Sequence, residues 1–267
     1  MRHLIILLSL AFSLQSMSCV GNNFAADTSV GAAYDVNISS DSLLAGVQMK
    51  IFNAFVASNV NGTTSQMEEI ESALEKLYSE SSQKLIMYWR AYVKYYLSIA
   101  HMQKGNEKQS EKEIDMGIRW LKEMKNKNSE DYALLAMMQG FSLQFKGMKV
   151  MFLSSKVKAN AKTAVELDPE NIRANFVYAS NDFYTPETYG GGKEAESYLL
   201  KALSLPAQKI ENAYLPSWGR EEAYEMLIKL YIKAEKWSKA KEYYAAGVKE
   251  FPRSYVINQL AAKLINQ

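Results

Sequence analysis

The sequence holds one cysteine, two histidines and five prolines in 267 residues, and each scarcity closes off a class of function. With Cys19 alone, no internal disulfide can form, so stability must come from packing. With only His3 and His101, a metal site built on His and Cys lacks ligands, and no G-x-S-x-G nucleophile motif accompanies His101. A formal net charge of +2 is too small for a nucleic-acid footprint. Scarce proline beside 17 tyrosines argues against disorder, and runs of Ala, Leu, Glu and Lys favour an all-helical chain.

The N-terminal apolar run, LIILLSLAFSL (4–14), follows Arg2 and is shorter than the roughly 20 residues that span a bilayer. It reads as an export signal over residues 1–18. The following SMSC resembles the lipobox of bacterial lipoproteins, which implies a lipid anchor on Cys19, although Ser16 stands where leucine is usual. The alternative is ordinary cleavage nearby, leaving a soluble periplasmic or secreted protein. Residues 19–39 are small, polar and aperiodic, as in a tether, and residues 40–267 form the expected helical domain.

From residue 40 onward apolar residues recur at three- and four-residue spacing, as in Leu44, Val47, Ile51 and Phe55, then Met67, Ile70, Leu74 and Leu77. Asp168-Pro169-Glu170 has the composition of a helix start. A longer period lies over this one. From Glu221, the residues Tyr224, Leu227, Ile228 and Tyr231 share a helix face, and Ala240, Tyr244, Gly247 and Pro252 follow at set offsets. This is the tetratricopeptide pattern, in which large residues of one helix pack beside a second and small residues mark the closest approach. Units beginning at Ala91, at Ala133 and near Ile172 match in order, with Ser110, Ile114 and Gly117 filling the second helix of the first and Gly140 at the close-contact place of the next. Extra residues fall at their turns, where insertions are tolerated.

One turn could be misread. FYTPETYGGGKEAESYLLKAL (183–203) contains a Gly-Gly-Gly-Lys run, but a Walker phosphate loop needs GxxxxGK followed by Ser or Thr, and Glu194 follows Lys193. No apolar strand precedes it. Pro186, Gly190, Gly191 and Gly192 instead suit a structural turn between two helices, the second beginning at Lys193. The segment DPENIRANFVYASNDFYTPETYGGGKEAESYLLKAL, followed by LPSWGREEAYEML, resembles a group of exported tetratricopeptide-repeat proteins of Bacteroidetes. The resemblance spans most of residues 91–252. It implies an architecture and little about activity.

Repeat solenoids line their concave surface with the first helix of each unit. Register puts Tyr92, Tyr95, Met137, Phe141, Arg173, Phe183, Glu225 and Lys229 on that surface as the partner-binding groove. Some aromatics of MYWRAYVKYY (87–96) could instead pack under the N-terminal helices, and Trp218-Gly219 reads as fixing the approach to the last unit. Glutamates such as Glu221, Glu222 and Glu225 suit a solvated helix face near a helix start. Lys146, Lys149, Lys156, Lys158 and Lys162 lie in a stretch without acidic residues, which suits a solvated basic face or a contact with an anionic partner or lipid headgroups.

The expected fold is therefore all-α: a right-handed α-solenoid of about four helix-turn-helix units, with an N-terminal helical pair and a C-terminal capping helix. The expected function is non-catalytic: an envelope binding or scaffold protein holding a protein segment or ligand in its groove, with no cofactor, metal or nucleic acid. Two alternatives stand beside it, a small-molecule-binding lipoprotein of a transport system and a helical glycan hydrolase using a groove glutamate.

Overall fold

A computed structural model describes residues 43–206, 213–265 and 267. The export-signal, Cys19 and tether expectations lie outside the described residues. Within them the regular structure is entirely helical, and no helix is long and apolar enough to cross a membrane.

Five antiparallel pairs follow one another in chain order. They are α1 (Val47–Asn61) with α2 (Ser65–Ser81), α3 (Lys84–Gln103) with α4 (Glu107–Glu123), α5 (Ser129–Ser142) with α6 (Val150–Leu167), α7 (Ile172–Tyr184) with α8 (Ala195–Ser204), and α9 (Arg220–Lys233) with α10 (Trp237–Glu250). Each second helix also packs on the first helix of the next pair, and α3, α5, α7 and α9 touch in sequence. The protein is thus an all-α solenoid: four repeat units after an N-terminal pair. The expected single capping helix is instead two short turns, α11 (Tyr255–Asn258) and α12 (Ala261–Leu264). The chain tightens between them, where the Leu260 amide donates to the Ile257 carbonyl three residues back, and Ile257, Leu260 and Leu264 still cover the end of the core.

Close helix approach depends on small residues. Ser98 and Ser110 each donate a hydroxyl to the other's backbone carbonyl at 2.7 Å, fastening α3 to α4 with both side chains buried. A Cβ on Gly117 would stand 2.4 Å from Met138 Cε and 3.3 Å from the Ala91 carbonyl. Gly140 differs from its expected role. A Cβ there would meet only Val157 Cγ1, at an ordinary 3.8 Å. The five-residue displacement in that unit becomes two 3-10 turns, Leu143–Phe145 and Gly147–Lys149, before α6.

Two helix starts also depart from expectation. Asp168 ends α6, and its carboxylate accepts from the Glu170 amide, so Asp168-Pro169-Glu170 is a turn. The cap of α7 is Asn171, whose side-chain oxygen accepts from the Arg173 and Ala174 amides. In the glycine corner, Pro186 and Gly190 bracket a 3-10 turn, and the Gly191 amide donates to the Pro186 carbonyl. Helix α8 begins at Ala195 rather than Lys193, because the buried Asp182 carboxylate accepts from the Glu194 and Ala195 amides at 2.7 and 2.8 Å. The corner's amides therefore serve the fold, which leaves no cradle for phosphate.

Candidate functional site: the concave face between α3 and α9

The solenoid winds tightly enough to meet itself. Residues 213–219, which lead into α9, run against α1 and α3. The Gly46 amide donates to the Ala213 carbonyl at 2.8 Å, Trp89 Nε1 to the Tyr214 carbonyl at 2.8 Å, and the Ser217 amide to Gln48 Oε1 at 2.8 Å. Trp218 closes the join: its Nε1 donates to the Tyr88 hydroxyl at 2.8 Å, and its ring lies against Tyr92 and Phe176. This segment ties the approach to α9 back onto α1 and α3 as a strap.

That closure decides which candidate residues a partner could touch. Arg173 is 2% exposed and lies beneath the strap. Its guanidinium forms a two-point ion pair with Glu130 at 2.5 Å and donates to the Trp218 carbonyl at 3.2 Å. Tyr92 is 3% exposed under Trp218. Both residues support the floor of the concavity and present no surface. Tyr95, Met137, Phe141, Phe183, Glu225 and Lys229 are all partly exposed.

Of these, Tyr95 and Phe141 meet edge to face, with ring centroids 5.6 Å apart. Tyr95 also touches Tyr96, whose ring in turn packs on Phe55 and Phe52 of α1. Part of the aromatic run thus lies under the N-terminal pair, and Tyr95 remains at its open edge. Phe183 pairs with Tyr184 at the end of α7, and Lys233 sits 5.7 Å from the Phe183 ring centroid. Glu225 and Lys229, one turn apart on α9, form an ion pair at 2.5 Å.

Electrostatics adds a residue beyond those selected by register. Glu222 was expected on a solvated face, but it is partly buried, and its charge reaches the tyrosines of α3. Burial, with help from the neighbouring Glu221 charge, pushes its carboxyl up to about 7, against two backbone hydrogen bonds that hold it down. One of those is the helix cap, in which the Gly219 amide donates to Glu222 Oε2 at 2.7 Å. Glu225 is raised as well, by burial first, with Lys229 opposing. Burial, and then the charges around them, lift Tyr95, Tyr96 and Tyr184 above their ordinary range, Tyr184 to about 12. The Glu222 charge reaches Tyr95 and Tyr96, and the Glu225 charge reaches Tyr95 and Tyr184. These three phenols therefore stay neutral at physiological pH. The register that selected Lys229 and Glu225 runs one step further back to Glu222, three residues earlier on the same helix face.

The result is a neutral aromatic wall on α3, α5 and α7 beside three carboxylates, Glu221, Glu222 and Glu225, and two lysines, Lys229 and Lys233, on α9. Such a face attracts cations, through carboxylate charge and through ring faces. Among the described residues, no cluster of His, Cys, Asp and Glu stands ready to hold a metal ion. His101 lies in the last turn of α3, where burial lowers its imidazole among Glu113, Lys104, Glu68 and Lys94, with no nucleophile in that set. A depression of about 640 Å³ lies elsewhere, between α1 and α2, walled by residues such as Ala54, Ala57, Ile70 and Ala73. It brings together none of the aromatic and acidic groups of the concave face.

No protein-family model matches the chain, and neither does any curated protein. Solved structures do resemble it. TTC0263, a thermophilic TPR protein of Thermus thermophilus, is similar over 80% of this chain and 99% of its own, with 14% identity and a TM-score of 0.53. The HusA haemophore of Porphyromonas gingivalis is similar over 73% of this chain and 96% of its own, with 19% identity and a TM-score of 0.50. At such identities the likeness is one of fold. The chain has a TPR-like architecture.

Proposed function

We propose that this chain is a non-catalytic binding protein of the bacterial envelope, whose concave face holds a positively charged segment of a partner protein. The observation that carries this reading is the set of Glu222 and Glu225 on α9 opposite Tyr95 and Tyr184. A lysine or arginine side chain laid there would meet negative charge and aromatic faces together. The TPR-like architecture supports the reading, because it presents such a face on stacked helices. The envelope location rests on the N-terminal signal and lipobox resemblance, and the chain would be anchored through Cys19.

The test is titration of fluorescent basic peptides into the protein, against the same peptides with their lysines acetylated. We expect binding that weakens with salt, is lost on acetylation, and falls about tenfold in Glu225→Gln. Equal affinity for the acetylated peptides, or no change in Glu225→Gln, would overturn it. Photocrosslinking from position 95 in cells then identifies the natural partner.

A second reading takes support from Glu222, since a carboxyl near 7 is what a general acid requires. It makes the protein a glycan hydrolase, and Glu222→Gln should then abolish muramidase activity. The cap bond to the Gly219 amide occupies one oxygen of that carboxylate and favours a structural and binding role. A carrier role is a third outcome. HusA is a haemophore on a similar architecture, and a small ligand that raises the melting temperature here would point that way.

A further inference from the structure

Three strongly exposed apolar side chains lie close together, far along the chain from the groove residues of α3 and α9. Met148 is 102% exposed, Met151 71% and Phe152 64%. They occupy the second 3-10 turn and the first turn of α6, the corner where the chain passes from α5 to α6. None contributes to the core, so folding does not explain them. Three such residues in five positions form a contiguous exposed apolar patch, which in soluble proteins marks a contact surface.

Along the chain, the charge around them has one sign. From residue 132 to residue 165 there is no Asp or Glu, and the only charged residues are Lys146, Lys149, Lys156, Lys158 and Lys162. Two of these are committed elsewhere. Lys146 holds Glu111 and Asp115 of α4, and Lys162 pairs with Glu166 at 3.4 Å. Lys149, Lys156 and Lys158 are exposed and form no ion pair with any described residue. The Lys156 ammonium sits 4.4 Å from the Phe152 ring centroid, so cation and apolar surface are presented together. Lysine stems can lie along an apolar boundary while their heads stay in water.

We infer that this corner is an interfacial membrane contact, in which Met148, Met151 and Phe152 enter the headgroup–acyl boundary of an anionic bilayer while Lys149, Lys156 and Lys158 engage lipid phosphates. The charge favours this occupant over a protein: the exposed lysines beside the patch, Lys149, Lys156 and Lys158, pair with no described carboxylate, as an anionic surface demands. The inference is independent of the groove reading.

A local reporter tests it, so that the N-terminal segment cannot answer for the corner. In the full chain carrying Cys19→Ser, Met151→Cys is labelled with a polarity-sensitive fluorophore, and Leu167→Cys, at the far exposed end of α6, serves as control. Vesicles of equimolar phosphatidylcholine and phosphatidylglycerol should shift the emission at 151 to the blue and leave 167 unchanged. Lys149→Gln with Lys156→Gln should lower partitioning more than tenfold, since each lysine near an anionic surface is worth about fivefold. Four outcomes would overturn the inference: no shift at 151, an equal shift at 167, an equal shift with phosphatidylcholine alone, or a shift that follows protein concentration without vesicles. The last would give the patch to a second copy of the chain.

Discussion

Trp218 Nε1 donates to the Tyr88 hydroxyl at 2.8 Å, across 130 residues of sequence. Both side chains are buried, and Trp218 also lies against Tyr92 and Phe176. A repeat solenoid is stabilised mostly by neighbouring units. This contact adds a tie between the first unit and the fourth. Trp218→Ala should therefore cost about 3–5 kcal/mol, the usual loss for a large buried aromatic. Tyr88→Phe should cost about 1–3 kcal/mol, because it strands the indole donor without a partner. A double-mutant cycle by urea denaturation should show the two changes to be non-additive. Additive losses would mean that the strap does not couple the units.

Arg173, paired with Glu130, is a further fastening of that strap, and its environment makes it fragile. Arg173 is fully buried, and its third contact is the Trp218 carbonyl. Arg173→Met should destabilise by about 3–5 kcal/mol, since it leaves the buried Glu130 carboxylate unpaired. Arg173→Met with Glu130→Leu should recover much of that loss. Arg173→Lys should fail to rescue, because an ammonium cannot make the two-point contact. Denaturant midpoints of the four variants check the order.

Much of this architecture was legible in the sequence, because the repeat period and the helical period are both local and redundant. Leu97, Gly117, Leu227 and Ala240 sit where the period places them, all fully or nearly fully buried. What escaped was the long-range closure. Nothing in the spacing of Arg173 says that residue 218 will cross above it, so Arg173 and Tyr92 read as groove residues and proved to be floor. Glu222 escaped for a related reason. A glutamate at the start of a helix has a sufficient local role as a cap, and its second role depends on tyrosines more than 120 residues earlier. The caps at Asn171 and Asp182 were missed because Asp168-Pro169 and Lys193 offered plausible local alternatives.

The glycines give a graded prediction that separates packing from propensity. A Cβ at Gly191 would lie 2.0 Å from the Thr185 carbonyl oxygen, and backbone cannot yield as a side chain can. A Cβ at Gly219 would need a φ of 107° and would press on Arg173 at 3.1 Å. At Gly140 it would make only ordinary contact, inside the helix α5. Gly191→Ala and Gly219→Ala should each destabilise by at least about 1–3 kcal/mol. Gly140→Ala should be neutral or stabilise by up to about 1 kcal/mol, as alanine replaces glycine within a helix. Thermal melts of the three variants test this, and a loss at Gly140 equal to that at Gly191 would contradict it.

The raised carboxyl of Glu222 makes stability and binding respond to pH in opposite directions. Its folded value, about 7, lies above the ordinary 4.5, so between these limits the folded state holds more protons than the unfolded one. By linkage, this group's contribution is fully present below about pH 4.5 and is lost as pH rises through 7. Glu225, also raised, acts in the same sense. Some solvent reaches Glu222, so we expect the effect to be on the order of 1–2 kcal/mol, less than the shift alone implies. The melting temperature should therefore fall between pH 5 and pH 8, and Glu222→Gln, which can still cap the Gly219 amide, should flatten that slope. Binding of a basic peptide should do the reverse. It should strengthen as pH rises through 7 and Glu222 becomes an anion, and the pH dependence should weaken in the same variant, leaving only the part that Glu225 supplies. A melting temperature that rises with pH equally in wild type and Glu222→Gln would remove Glu222 from both roles.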